Sequence, residues 1–240
     1  MKVVSLNVGL PRDVIWHGQT VTTGIYKSPV QGGVTARKLN LDGDRQADLS
    51  VHGGEYKAVY AYPYEHYDYW KKKLPGRDLP PGVFGENFTT EGLLETEVHI
   101  GDRFAIGKTG SAGLPRAAQD GDAKGIPEHS AEFTVTQPRL PCYKLGVRFE
   151  ADDMVKKFLA SRRTGFYFAV TKEGQVAAGD EIKLLFRDPN AISISEFVEL
   201  YLTKHWTSAN VTSVRRLFDL PTLPNDWKSY FDDRLQDTIV

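Results

Sequence analysis

Glu97-Val98-His99-Ile100-Gly101-Asp102-Arg103-Phe104-Ala105-Ile106 sets two short apolar-alternating runs on either side of a Gly-Asp turn. Alternation over so few residues is the period of a strand that buries one face, and Gly-Asp is turn chemistry, so the segment reads as strands at 97–100 and 103–106. The same grammar recurs through the first three-quarters of the chain. It predicts further strands at 2–8, 21–26, 57–62, 132–136, 166–171 and 181–186, divided by Gly, Pro and Asp. Many short strands at such spacing are the pattern of an all-β barrel or sandwich with a few helices.

Two helices interrupt that pattern. After Ala58-Val59-Tyr60-Ala61-Tyr62, Pro63 suits a first helical position, and Tyr67, Trp70 and Leu74 share one face before Pro75-Gly76 ends the run. A second helix starts near Asp152 and aligns Met154, Val155, Phe158 and Leu159, with Arg162 and Arg163 in its last turn and Gly165 beyond. Tyr60, Tyr62, Tyr64, Tyr67, Tyr69 and Trp70 invite a base-stacking reading. Helical spacing and the balance of Lys71, Lys72 and Lys73 by Glu65 and Asp68 favour a packed face instead.

Residues 108–130 are rich in Gly and Pro and nearly free of large apolar side chains, which predicts a mobile surface loop between two strands. Beyond Asp188-Pro189-Asn190 the apolar period changes. Amphipathic helices are predicted near 195–206, 211–219 and 225–236, with Ser195 and Asn210 as caps.

With 240 residues, 40% of them hydrophobic, the chain can bury a full core. Its formal net charge of −1 argues against nucleic-acid or membrane binding by bulk electrostatics. The three C-terminal helices resemble a helix-turn-helix reader in number only. Residues 191–240 hold five Lys or Arg against seven Asp or Glu, net −2, without a basic footprint. Met1–Val8 alternates like a strand and lacks a signal-peptide apolar core, and no apolar run reaches membrane-spanning length, so a soluble, cytoplasmic protein is expected. One cysteine excludes an internal disulfide. With six scattered histidines it makes no zinc spacing, and neither a P-loop nor a dinucleotide glycine fingerprint is present.

That cysteine lies in Thr136-Gln137-Pro138-Arg139-Leu140-Pro141-Cys142-Tyr143-Lys144-Leu145. Two prolines predict a rigid extended piece or loop that displays the thiol, with Lys144 on its side and Arg139 swinging near at Pro141, a setting that suits a thiolate. A buried cysteine acting as a small hydrophobe is the alternative. In Val51-His52-Gly53-Gly54 the glycines allow close backbone approach to a ligand, with amides free for an anion, and Lys57 adds a cation; simple hairpin punctuation reads equally. In Phe84-Gly85-Glu86-Asn87-Phe88, Glu86 suits backbone amides and Asn87, which both donates and accepts, is the ligand-facing candidate. Leu41-Asp42-Gly43-Asp44 has too few oxygen ligands for a calcium loop. A metal-free thiol enzyme with Cys142 as nucleophile and His52 as base would need the two in contact and a third group orienting the imidazole.

Taken together, Val21–Val30, Leu41–Asp44, Val51–Gly54, Phe84–Asn87, Gly101-Asp102 and Thr136–Leu145 resemble the YiiM-like branch of the MOSC (molybdenum cofactor sulfurase C-terminal) domain proteins, from about Val3 to the end of the chain. The resemblance implies a mainly β fold: a MOSC-type β-barrel domain with peripheral helices over 1–187, and a small three-helix domain over 190–240. It implies molybdenum cofactor (Mo-molybdopterin), with Cys142 as catalytic residue and metal ligand. Lys27, His52, Arg139 and Lys144, joined by Gly53, Gly54, Lys57 and Asn87, become candidates for the cofactor phosphate and pterin. The implied activity is reduction of N-hydroxylated compounds, such as hydroxylaminopurine-like bases and hydroxylamines, with electrons from a separate flavoprotein or other reductase. The alternative is a carrier of cofactor or sulfur without turnover of its own. A homodimer is compatible with either.

Overall fold

A computed structural model describes residues 1–48, 52–107 and 130–239. The expected loop at 108–130 lies outside the described residues apart from Ser130. In chain order the elements are β1 (Lys2–Val8), β2 (Arg12–Trp16), β3 (Gln19–Thr23), β4 (Ser28–Pro29) and β5 (Gly33–Ala36). A 3-10 turn at Glu55–Lys57 leads into β6 (Val59–Pro63), α1 (Glu65–Lys73), β7 (Phe88–Glu91) and β8 (Arg103–Gly107). Then follow β9 (Ala131–Pro138), α2 (Tyr143–Phe149), α3 (Met154–Ser161), β10 (Phe166–Lys172), β11 (Gly174–Ala177), β12 (Glu181–Phe186), α4 (Ile194–Leu202), α5 (Ser208–Phe218) and α6 (Asn225–Ile239).

Seven strands close a barrel in the order β12-β8-β9-β10-β6-β7-β1, sealed where Lys2 of β1 pairs with Glu181 of β12. Neighbouring barrel strands run antiparallel except β6 and β7. A parallel pair cannot be joined by a tight turn, and α1 lies in the crossover between them. Closure leaves the barrel strands without an open edge and encloses an aromatic interior, in which Phe133 touches Phe88 and Phe168, and Phe168 touches Phe104 and Phe166. A second cluster packs Tyr62, Tyr67, Trp70, Phe84, Phe149 and Phe158 beneath α1, α2 and α3. Tyr60, Tyr62, Tyr67 and Trp70 of the tyrosine-rich run are therefore core, Tyr69 packs against them partly buried, and Tyr64 is exposed. Glu86 accepts from the amides of Gly82 and Phe84, at 2.8 and 3.1 Å, and from the Tyr67 hydroxyl.

The apolar interior of the barrel runs on without a break into α4, α5 and α6, whose Phe197, Leu217 and Phe231 join the same cluster. Ser193 caps α4 by accepting from Glu196 N, and Thr207 caps α5 in a capping box with Asn210. The expected caps, Ser195 and Asn210, are instead inside the first turns, because the capping oxygens come from one helical turn or less upstream.

Other boundaries also differ from expectation. Residues 97–100 form no ladder strand but a single antiparallel bridge, His99 with Ser193, in which Ile100 N bonds to Ile192 O and Ile194 N to Val98 O, while Glu97 N and Val98 N bond back to Leu94 O. Val98 and Ile100 are buried, so the alternation marked the side that faces the core, while the pairing is one bridge long. The strand expected at 21–26 stops at Thr23, being the second arm of the β2–β3 hairpin. Its two-residue turn, His17-Gly18, has positive φ at both positions, as the twist of a tight hairpin requires. Pro63 ends β6 instead of starting α1. Among the described residues no helix is long and apolar enough to cross a membrane.

Candidate active site at Cys142

The barrel hands Cys142 to the surface at the exit of β9. Arg139 N still bonds to Gly165 O, as the ladder with β10 would continue, and Leu140-Pro141 then turn the chain away. Cys142 has extended dihedrals, φ −116° and ψ 174°, and is the residue immediately before α2. The segment is thus extended only as far as the cysteine. Lys144 lies in the first turn of a helix, because Leu145 N bonds to Cys142 O at 2.9 Å. The sequence reading missed this helix, which is short and preceded by prolines.

The facing wall is the approach to β6. Gly53 and Gly54 have φ of 128° and 80°, a region closed to most side chains, and they reverse the chain into the 3-10 turn. That turn is fastened to β9, for Tyr56 O accepts from Thr136 Oγ1 at 2.6 Å. Two distant segments are thereby held together, with His52 Nε2 3.2 Å from Cys142 Sγ.

Lys27, Arg45, His52, Gly53, Lys57, Asn87, Arg139, Cys142 and Lys144 line one cleft, floored by Tyr60 and Tyr167. Of the residues named in advance only Gly54 is elsewhere, on an adjoining cleft. Arg45 was missed, because it sits in an Asp-Gly-Asp-Arg run that reads as an ordinary charged loop. No Asp or Glu lines the cleft among the described residues, so a near-neutral chain carries a strongly cationic hollow.

The cations are not equivalent. Lys27 Nζ bonds both oxygens of Asp44 at 2.5 Å, and burial pulls its pKa below the usual lysine range. Asp44 also accepts from Gly9 N and Asn87 Nδ2, each at 2.9 Å. Asn87 completes its own set by donating to Asn7 O and accepting from Tyr60 N. The amide of Asn87 and two of the three donors of Lys27 are therefore engaged inside the protein, where they brace the floor of the cleft.

Arg139 is the opposite case. Its guanidinium is buried, 6% exposed, and packs over the rings of Tyr60 and Phe158 at 5.4 and 5.2 Å. Nη1 has no hydrogen-bond partner among the described residues. A buried, permanently charged donor left unpaired is costly unless something supplies an acceptor. His52 Nδ1 is likewise buried without a partner. Burial, then the charges of Lys144, Arg139 and Lys57, hold the His52 pKa below its ordinary value. Burial raises the Tyr60 and Tyr167 pKa values, so both are neutral phenols at physiological pH. The Cys–His contact meets one demand of a thiol hydrolase. The other fails among the described residues, since nothing orients the imidazole through Nδ1.

The MOSC domain model matches residues 48–183, a span that carries His52, Lys57, Arg139, Cys142 and Lys144 together, and the chain belongs to the MOSC domain family. It is 36% identical over 229 residues to the uncharacterized protein YflK of Bacillus subtilis (strain 168), covering 95% of this chain and 92% of that one. The crystal structure of YiiM from Geobacillus stearothermophilus superposes with a TM-score of 0.72 at 31% identity, covering 98% of both chains. A protein of Gibberella moniliformis (strain M3125 / FGSC 7600) named "Reductase" is 31% identical over 172 residues, 71% of this chain and 27% of that protein.

Proposed function

We propose that the cleft binds molybdenum cofactor, with Cys142 as the protein ligand to molybdenum, and that the protein reduces N-hydroxylated compounds with electrons from a separate reductase. The observation that carries this reading is Arg139: a buried guanidinium beside a thiol, whose Nη1 has no partner and whose hollow is lined by no carboxylate among the described residues. Membership of the MOSC family and similarity to a protein named a reductase support it.

The residues present fit such a group. A thiolate is a soft donor suited to a molybdenum centre, while an anionic phosphate needs guanidinium, ammonium and amide donors. Arg139, Lys144, Lys57, Arg45 and the Gly53 backbone are the candidates to receive phosphate and pterin, above a floor held by Lys27 and Asn87. Bound molybdenum would supply the two-electron couple that N–O cleavage needs. Overall, a hydroxylamine takes two electrons and two protons and yields an amine and water. His52, neutral and next to Sγ, is placed to hold or move a proton at Nε2.

Metal and pterin analysis of protein expressed with an intact cofactor pathway tests the binding, paired with reduction of hydroxylamine by an artificial electron donor. Absence of metal and pterin from a chain that also takes up no cofactor overturns the reading. Cofactor bound without turnover would make the protein a carrier.

A further inference from the structure

The β2–β3 hairpin and α2 bring two arginines onto one tyrosine. The guanidinium carbon of Arg12 stands 3.6 Å from the centroid of the Tyr26 ring, and that of Arg148 stands 4.9 Å from the same point. Either contact alone is favourable, since a guanidinium is attracted to an aromatic ring. Together they crowd two like charges around one ring. Neither guanidinium bonds to a carboxylate among the described residues, and Nε of Arg148 is buried without a hydrogen-bond partner among them. The acids whose charge reaches Arg148 are Glu150, which is exposed, and Glu86, whose oxygens already accept from Tyr67, Gly82, Phe84 and Thr89. Burial, and behind it the charge of Arg12, hold the Arg148 pKa below the ordinary arginine range. The C-terminal end of α2 accounts for a cation at position 148, but not for a buried donor without an acceptor, nor for Arg12 beside it.

Each member of this cluster is tied to a residue that lines the cationic cleft. Arg12 is the register partner of Thr23 in the hairpin, which puts the two side chains on one face with Cβ atoms about 5 Å apart. Tyr26 directly precedes Lys27. Arg148 follows Lys144 by four residues on α2, so both lie on the same side of that helix. The hairpin tip is held as well, with His17 Nε2 2.9 Å from Asp152 Oδ1 just beyond α2. Lys144, Arg148 and Arg12 thus extend positive charge out of the cleft along one route, and like charges at that helical spacing are destabilising unless an anion offsets them.

We propose that Arg12, Tyr26 and Arg148 form a second phosphoryl-binding subsite at the edge of the cationic cleft, distinct from the one centred on Arg139. Two guanidiniums together match the charge of a phosphate monoester dianion, and each can meet two of its oxygens at once. The group bound there belongs either to an extension of the cofactor beyond its own phosphate or to a separate phosphorylated molecule. The chemistry recognised is the same in both cases. The subsite rests on the arginine geometry and not on the molybdenum reading.

Heteronuclear NMR of the full cofactor-free chain can follow the Nε–H of Arg148, assigned by its loss in Arg148→Gln, during titration with inorganic phosphate at constant ionic strength. A saturable shift is expected in wild type and, with unchanged affinity, in Arg139→Met. Arg12→Gln, a change at an exposed position, is expected to weaken the affinity roughly tenfold or more, the scale of one lost charge-assisted contact. Arg12→Lys, which keeps the charge without the fork, should fall between the two. No saturable shift, an equal shift with chloride, full affinity in Arg12→Gln, or loss of the shift in Arg139→Met overturns the proposal.

The same titration on the cofactor-loaded protein identifies the source. A signal already shifted and unresponsive to phosphate means that the cofactor supplies the second phosphoryl group. A signal that still responds means that a separate phosphorylated molecule does. If metal and pterin are absent while the phosphate response is intact, the molybdenum reading fails and the subsite stands.

Discussion

Two buried cations a few residues from the same cleft have opposite circumstances. Lys27 is held by Asp44, which is in turn held by Gly9 and Asn87, so every group in that network has a partner inside the protein. Arg139 is as deeply buried, yet keeps a donor unpaired, and its neighbour His52 keeps a second unpaired atom. The difference separates framework from binding surface. A charge balanced by a partner within the chain contributes to stability, while unpaired buried polar groups are tolerated where a ligand completes them.

Four predictions break or sharpen that comparison. The largest effect belongs to Cys142→Ser, which is expected to abolish reduction of N-hydroxylated compounds with the thermal transition unchanged, since no second cysteine can replace the thiolate. Full activity at normal molybdenum content would return Cys142 to a structural part. Next is Asp44→Asn, which leaves a buried lysine without its counter-charge. Urea denaturation of the cofactor-free protein should show a loss of about 3–5 kcal/mol, the cost of breaking a buried ion pair from one side. A loss below about 1 kcal/mol would show that the floor network is not what the geometry indicates.

Arg139→Met inverts that result. Stability of the cofactor-free protein should change by less than about 1 kcal/mol, because an apolar chain of similar length removes an uncompensated charge while keeping contact with Tyr60 and Phe158. Retention of cofactor through dialysis should nonetheless weaken by roughly tenfold or more, the scale of a lost charge-assisted bond. Large destabilisation with normal retention would make Arg139 framework as well. The smallest effect concerns pH. The His52 pKa is depressed in the folded state, so below its usual value of 6.5 the unfolded chain binds a proton that the folded one refuses. The imidazole's contribution is complete above that pH and is lost as pH falls toward the depressed value. His52→Gln should therefore flatten the pH dependence of stability below about pH 6.5. An unchanged slope would remove His52 from the account.

The β grammar was legible because each strand is decided by residues near one another. Lys2–Val8, Arg103–Gly107, Phe166–Lys172 and Glu181–Phe186 stand within a residue or so of where alternation puts them. Segment 97–100 was read as a full strand because Val98 and Ile100 alternate for burial, while its pairing is a single bridge to Ser193 and its first amides turn back to Leu94. The lining of the clefts was legible at Cys142, His52, Arg139 and Lys144, through proline and glycine chemistry and through the spacing of motifs along the chain. It was illegible at Arg45, Tyr56, Gln137 and Trp227, which carry no motif and acquire meaning only from their neighbours.

What the sequence by itself determined is local: the period of the strands, the turns between them, a thiol displayed past two prolines, and a composition with no bulk charge to attract nucleic acid or membrane. What only the tertiary structure decided is partnership. His52 and Cys142 are 90 residues apart and meet at 3.2 Å; Lys27 finds Asp44, 17 residues on; Trp227 reaches Gln137 across 90 residues and ties α6 to β9. The physical reason is one of range. Dihedral preferences and apolar periods act within a few residues, whereas desolvation and hydrogen-bond satisfaction depend on which groups the closed barrel brings together, and those energies distinguish a cation committed to the framework from one left to bind.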